Sequence, residues 1–254
     1  MRRAGASGRP ETARDLEVAV ADKTYAGANG KPVQAVKGLA FACAGDSCTA
    51  LVGPSGCGKT TILKIIAGLD TDFEGAVRRG GAALERAHIG FVFQEPRLLP
   101  WRTVEDNIRL AAPDLAEAAL ARLLHETAIA EFRFRFPGEL SLGLARRVSI
   151  VRALAAEPDL LLLDEPFVSL DEATAATLRA LVARILEERA VTAILVTHDL
   201  REAVELADRI ITLTPRPARV QSERVIATPR SKRTAAFRNK LLEEIGRAAK
   251  TKAR

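Results

Sequence analysis

The sequence predicts an α/β fold built on a parallel sheet with crossover helices. Three stretches carry that expectation. An apolar run at 48–52 passes through a glycine-rich loop into an apolar-periodic segment, ILKIIAGL. A wholly apolar run, Leu160–Leu163, ends in two acids, Asp164 and Glu165. From there to about residue 214, strand-like and helix-like patterns alternate.

Taken in chain order, residues 15–52 contain three strand-like runs, LEVAVAD, VQAVKGLAFACA and SCTALVG, separated by turn material such as AGANGKP, so an antiparallel β region is expected near 15–50. Gly53 to Thr61 forms the loop that opens the first helix. From 103 to about 156 the pattern is helical, with Thr103 and Asp114 as expected N-caps before VEDNIRLAA and LAEAALARLLHETA. Beyond Leu160 come LLLLDEP, ATAATLRALVARILEER, TAILVTHD, LREAVELA and RIITLT. Near the C-terminus Phe237, Leu241, Leu242, Ile245, Ala248 and Ala249 recur at helical spacing, with Arg238, Lys240, Arg247 and Lys250 around them. A helix packed on its own core is expected there, with a basic helix lying on an anionic membrane as the alternative.

Composition removes several function classes. The chain has 254 residues, 48% hydrophobic and 28% charged, which is globular and not disordered. No apolar run approaches the ~20 residues that cross a bilayer. Arg2, Arg3 and Arg9 are followed by no apolar segment of the signal-peptide kind. Cys43, Cys48 and Cys57 make an odd count with no histidine nearby, which argues against a disulfide scaffold or zinc site and for a reducing cytosol. The net charge of +6 would usually suggest nucleic acid. However, residues 1–14 hold four Arg and one Glu, and residues 229–254 hold nine Lys/Arg and two Glu, leaving 25 basic and 29 acidic residues between them. The basicity belongs to the ends, and no nucleic-acid partner is expected. The chain thus divides into a basic N-terminal extension (1–14), a main domain (15–228) with a helical subdomain at about 96–155, and a basic C-terminal helix or tail (229–254).

Gly53-Pro54-Ser55-Gly56-Cys57-Gly58-Lys59-Thr60 matches G-x-x-x-x-G-K-[ST], with Thr61 next. Glycines there let backbone N–H groups curl around phosphate oxygens, and the following helix adds the positive end of its dipole. Lys59 is placed to reach the β- and γ-phosphates and Thr60 to hold Mg²⁺. Ligands of parallel sheets sit at the carboxyl ends of strands, which places Asp164 to organise Mg²⁺ and Glu165 to polarise a water aimed at a γ-phosphate.

Together these motifs resemble the ATP-binding subunits of ABC transporters, over roughly residues 20–215. Phe93-Gln94-Glu95 resembles the family's glutamine loop, so the resemblance implies that Gln94 senses Mg²⁺ and the attacking water. Leu140-Ser141-Leu142-Gly143 stands at the LSGGQ signature, before Ala145-Arg146-Arg147-Val148. Ser169-Leu170-Asp171 resembles the D-loop, His198 the switch histidine that contacts the γ-phosphate, and Tyr25 the aromatic that stacks on adenine. His88 and His125 match no motif. The signature departs from the family pattern, with Leu142 in place of its first glycine and Leu144 in place of glutamine, while Ser141 and Gly143 remain to face the nucleotide on a second subunit.

The fold implied is a P-loop NTPase of the ABC type, an α/β core with an antiparallel β subdomain and a helical subdomain. The function implied is ATP hydrolysis with Mg²⁺, at the cytoplasmic face of the membrane. The partners implied are a second ATP-binding subunit (a homodimer or a paired chain), separate transmembrane permease subunits and, indirectly, an extracytoplasmic solute-binding protein. Glu95-Pro96-Arg97-Leu98-Leu99-Pro100-Trp101 is similar to the segment of the nitrate/sulfonate/taurine importers that borders the permease groove. A signature-degenerate regulatory subunit and an exporter ATPase are the alternatives.

Overall fold

The computed structural model describes residues 14–27, 30–84 and 88–251, with side chains through residue 247. The basic segment 1–13 and the side chains of Ala248, Ala249 and Lys250 lie outside the described residues. Leu16–Ala26 (β1) and Pro32–Cys43 (β2) pair antiparallel, and the first half of β1 alternates buried and exposed positions. Cys48–Val52 (β3) does not join them and marks where the antiparallel region expected near 15–50 gives way to the parallel sheet. It is buried at every position and lies parallel between two strands of a second sheet. A strand covered on both faces has to be apolar throughout, which is what CTALV satisfies.

Lys59–Ile66 (α1) follows β3. The antiparallel layer is then completed by Glu74–Arg79 (β4) and Ala82–Ala83 (β5), in the order β2-β1-β4-β5. Their largely exposed sequence, EGAVRR and AA, has no strand-like alternation to detect. Ile89–Val92 (β6) leads into the helical layer of Val104–Arg109 (α2), Glu117–Glu126 (α3) and Leu142–Ala155 (α4). The rest of the chain is Leu160–Asp164 (β7), Glu172–Glu188 (α5), Thr192–Thr197 (β8), Leu200–Leu206 (α6), Arg209–Leu213 (β9), Val220–Val225 (β10) and Ala235–Thr251 (α7). The second sheet runs β10-β9-β3-β8-β7-β6. It is parallel from β9 to β6, with β10 added antiparallel at one edge.

Successive leucines of β7 point to opposite faces of this sheet and so enter different cores. Leu160 and Leu162 meet α1 and the antiparallel layer, among Ile62, Leu63, Ile66, Leu39 and Val18. Leu161 and Leu163 meet α5 and α6, among Leu178, Val182 and Val204. Leu241 and Ile245 of α7 are buried in this second core, with Phe237 and Leu242 packed against it, so the apolar face of the C-terminal helix lies on the protein itself. A third core holds α2 and α3 against α4 through Val104, Ile108, Leu120, Leu124, Val148 and Val151. The helix α4 serves two cores, because its Ile150 and Leu154 belong with the main sheet.

Thr103 caps α2 with a reciprocal box: its hydroxyl accepts from the Asp106 N–H (3.2 Å) and the Asp106 carboxylate accepts from the Thr103 N–H (3.3 Å). Asp114 does not cap α3, which begins after Ala116 with no side-chain cap. The helical layer is tied instead by charge. Glu105 accepts from Arg133 and Arg109, both at 2.7 Å, and Arg133 also donates to Glu117 at 2.8 Å. The Arg133 hydrogen bond is the main reason that the Glu105 carboxyl is held down at about 2, against 4.5 for the free side chain.

A carboxyl depressed in the fold contributes stability that is present above its unfolded value and is lost as pH falls toward its folded one. Glu105→Gln therefore destabilises the protein at pH 7, by about 1.5–3 kcal/mol for lost charge-assisted bonds. The Tm gap to the unmodified protein should close between pH 4.5 and about 2. A gap that stays constant across that window contradicts the assignment.

Candidate nucleotide-binding site

The chain leaves β3 at Val52, turns over 53–58 and enters α1 at Lys59. Gly58 closes the turn at φ 121°, and a Cβ there would lie 2.8 Å from the Ala35 carbonyl oxygen, so no other residue fits. Lys59 is almost fully buried. Its Nζ donates to the carbonyls of Gly53 (2.8 Å) and Pro54 (3.1 Å) and lies 3.5 Å from Glu165 Oε1. Ser55, Gly56, Gly58, Lys59, Thr60 and Thr61 line a cavity of about 310 Å³, shared with Tyr25, Gln94 and Glu165. Gly53, Pro54 and Cys57 form the loop behind it. The Cys57 side chain is turned into the core beside Ile62 and Ile66, and its N–H donates to the Pro54 carbonyl (3.2 Å).

The carboxyl end of β7 faces this loop. Asp164 is 2% exposed, and Oδ1 accepts from Thr60 Oγ1 at 3.1 Å. Burial pushes its carboxyl above the usual carboxylate range, opposed by the Thr60 hydrogen bond and reinforced by the neighbouring charge of Glu165. Glu165 has a left-handed backbone, φ 44°, and is tethered on every side. Its N–H donates to the Val196 carbonyl (2.9 Å), and its carbonyl accepts from Arg146 Nη1 (3.1 Å). Its Oε2 lies 3.2 Å from Nδ1 of the half-exposed His198, at the end of β8. A carboxylate oxygen accepts, so in this contact the proton is carried on Nδ1 of the imidazole.

Gln94 follows β6, exposed on the cavity wall. Tyr25 sits at the rim, near the end of β1. Its hydroxyl donates to Asp70 Oδ2 (2.7 Å), and Lys23 Nζ lies 4.6 Å from its ring centroid. Ser141 and Gly143 stand apart from this group. Ser141 is the exposed N-cap of α4, with its hydroxyl accepting from the Leu144 N–H (3.3 Å). Gly143 is buried where a Cβ would lie 2.5 Å from Thr174 Cγ2, so the signature segment touches the first turn of α5, just after Ser169-Leu170-Asp171.

Residues 36–168 match the family model described as ABC transporter. Over 202 residues, 76% of this chain and 74% of the relative, the sequence is 47% identical to the aliphatic sulfonates import ATP-binding protein SsuB 2 of Burkholderia lata. The chain belongs to the ABC transporter family. SsuB of Bacillus licheniformis is 44% identical over 205 residues, covering 76% of this ABC chain and 80% of that one. Among solved structures, a dimeric post-hydrolysis state of the ATP-binding cassette MJ0796 bound to ADP and Pi superposes with a TM-score of 0.72 at 29% identity, covering 84% of this chain and 99% of that one. A further dimeric structure of MJ0796 gives 0.73 at 30% identity. The protein is an α/β ABC-type P-loop NTPase that binds nucleotide and hydrolyses ATP.

The roles of two arginines of this ABC cassette escaped sequence reasoning. Arg146 is almost fully buried on α4 and donates to the carbonyls of Glu165 and Pro166, which fixes the signature helix to the backbone of the acid. An arginine on a helix ordinarily reads as a solvated face. Arg216 lines the cavity from the turn between β9 and β10, where no periodicity draws attention to it. The two signature departures also find their places: Leu144 packs in the helical core, whereas Leu142 is exposed at the start of α4.

The donor set fits a hard cation. Thr60 and Asp164 bring a hydroxyl and a carboxylate together, and burial leaves that carboxylate undercompensated. Among the described residues no group of three or more His, Cys, Asp or Glu gathers to hold a metal ion, so two protein ligands here would leave phosphate oxygens and water to complete any coordination.

An acid whose folded pKa is raised stabilises the fold in its protonated form and costs stability as pH climbs through its titration. Asp164→Asn, which keeps the acceptor for Thr60, should therefore raise the Tm of nucleotide-free, metal-free protein at pH 7, by about 2–4 °C for each kcal/mol recovered. The same variant should lose the Tm gain that Mg²⁺ with ADP gives the unmodified protein. A lower Tm at pH 7 would count against the burial argument.

Proposed function

We propose that this ATPase works in pairs on separate membrane permease subunits and powers import of a solute of the aliphatic sulfonate type. One observation carries the catalytic part: the Glu165 carboxylate is held between Lys59 and His198 beside the glycine-rich loop. On nucleotide binding, Lys59 exchanges the Gly53 and Pro54 carbonyls for β- and γ-phosphate oxygens. Glu165 orients a water and takes its proton as the water oxygen bonds to the γ-phosphorus. The bond to the bridging oxygen breaks, and ADP leaves with the electron pair. His198 and the backbone donors of the loop stabilise charge on the transferred group. Thr60 and Asp164, with Gln94 near them, would hold Mg²⁺, which would supply charge neutralisation to the phosphates when bound. Tyr25 provides the apolar surface for the base.

The dimeric MJ0796 cassettes and the position of Ser141 support pairing. Ser141 opens the 14-residue helix α4 at the surface, outside its own chain's cavity, so its hydroxyl and helix terminus serve the cavity of a second copy. Exposed aromatics support a permease partner. The Val104 and Glu105 N–H groups donate to the Arg135 and Arg133 carbonyls (2.9 and 3.0 Å), running 133–135 alongside the start of α2. Trp101, shortly after Gln94 in the chain, and Phe134 are each 71% exposed there, and Phe136 is exposed as well. Such a patch suits an apolar cytoplasmic helix of a membrane protein. Among the described residues no helix is long and apolar enough to cross a membrane, consistent with peripheral attachment at the cytoplasmic face. A solute-binding protein outside the membrane would choose the solute.

Glu165→Gln should keep ATP binding and cut turnover at least 100-fold, with ATP then trapping a dimer on size exclusion. Normal turnover in that variant removes Glu165 from the chemistry. Trp101→Ala should hydrolyse ATP as a free protein yet fail to co-purify permease from detergent-solubilised membranes; undiminished co-purification rules out this docking face. Leu142→Gly, which clears the side chain from the phosphate-facing start of α4, should raise ATP turnover and shift the monomer–dimer balance toward dimer.

A further inference from the structure

The turn between β9 and β10 lies outside every motif assigned above, yet it forms part of the nucleotide cavity. It closes on itself through Thr214, whose hydroxyl donates to the Pro217 carbonyl (3.0 Å) and accepts from the Arg219 N–H (3.1 Å). It is stapled to β2 through Ala218, whose N–H donates to the Ala35 carbonyl (2.9 Å) and whose carbonyl accepts from the Lys37 N–H (3.2 Å). From this anchored turn Arg216 reaches back to the glycine-rich loop. Its Nε (3.0 Å) and Nη2 (2.7 Å) both donate to the Gly56 carbonyl. Nη1 has no hydrogen-bond partner among the described residues, and no carboxylate of theirs pairs with the guanidinium.

Charge makes this arrangement informative. The cavity is lined by two cations, Lys59 and Arg216, and one acid, Glu165. Lys59 already faces Glu165 at 3.5 Å, so Arg216 is the uncompensated cation of the site. Its turn, at the β9–β10 edge of the six-stranded sheet, is tied to Ala35 of β2, which lines the cavity with Val33 and Tyr25, so Arg216 enters where the two sheets meet at the cavity. A planar guanidinium with one edge fixed on a carbonyl and its remaining amine free is pre-organised to bind a phosphate oxygen.

We propose that Arg216 is a nucleotide-binding residue outside the glycine-rich loop, contacting the diphosphate portion common to ADP and ATP while it holds the Gly56 carbonyl. This rests on the reading of the cavity as the ATP site. Because Arg216 is placed to hold non-bridging oxygens, which neither form nor lose a bond in the reaction, the contact contributes uniform binding: it sets affinity and leaves the chemical step alone.

Titration with a fluorescent ADP analogue, ATPase kinetics and Tm, measured on Arg216→Ala, Arg216→Lys, Lys59→Ala and the unmodified protein, test it. Arg216→Ala should weaken ADP binding and raise the KM for ATP by the same factor, roughly 5- to 30-fold, with kcat within twofold. It should also flatten the salt dependence of ADP affinity. Arg216→Lys, which keeps the charge but not the fork, should recover much of the affinity. ADP affinity unchanged within twofold in Arg216→Ala overturns the proposal. So does a fall in kcat and Tm that Arg216→Lys fails to recover, because that is the pattern of a residue that only braces the loop. If the unmodified protein itself binds no ADP, the reading of the cavity fails; if Lys59→Ala loses binding while Arg216→Ala keeps it, only Arg216 does.

Discussion

The buried ammonium of Lys59 organises this molecule. Lys59 Nζ is nearly sealed from water, and an isolated charge in such a place is costly. The fold meets that cost with two loop carbonyls and the carboxylate of Glu165. That requirement sets the rest. The loop must curl back so that its carbonyls point at its own lysine. The strand β7 must lie close enough for its terminal acids to face the loop, and β8 must deliver His198 beside them. The parallel order β3-β8-β7 achieves this, since the carboxyl ends of all three strands open on the same side.

The same constraint keeps the site poised. Lys59, Asp164 and Glu165 are each partly compensated by one another and none is solvated as it would be in water. A bound polyphosphate with its cation would offer stronger partners to all three, so the site exchanges internal contacts for ligand contacts with little rearrangement of the chain. Arg146 adds a separate brace from outside the cavity, holding the Glu165 backbone in a left-handed conformation that a non-glycine residue seldom adopts.

What the sequence displayed and what it hid divide along physical lines. Lys59, Asp164 and His198 stand where buried strands end, and buried strands announce themselves by unbroken apolar runs such as LLLL and AILV. The edge strands β5 and β10 hide because they are polar or short, and β4, though paired on both sides, hides because its sequence is largely exposed and does not alternate. Thr103 caps its helix with Asp106 completing the box, whereas Asp114, with Glu117 three residues on, carries the same signal and does not cap, because Glu117 is held by Arg109 and Arg133 instead. Arg146 stands in the family-like segment but its bracing role does not show, because a helix arginine neutralised by carbonyls instead of acids reads as a solvated one, and Arg216 does not show because it acts from a turn.

The double membership of α4 has a mechanical consequence. Ile150 and Leu154 key this helix into the main sheet's core, while Val148 and Val151 key it into α2 and α3. Close-packed side chains do not slide continuously past one another but click between discrete interlocked settings. The helical layer therefore has a built-in axle, and any swing it makes is geared through two rows of teeth on a single shaft. Because Ser141 sits at one end of that shaft and Arg146 grips Glu165 from its side, such a swing would be felt at the shared face and at the acid together.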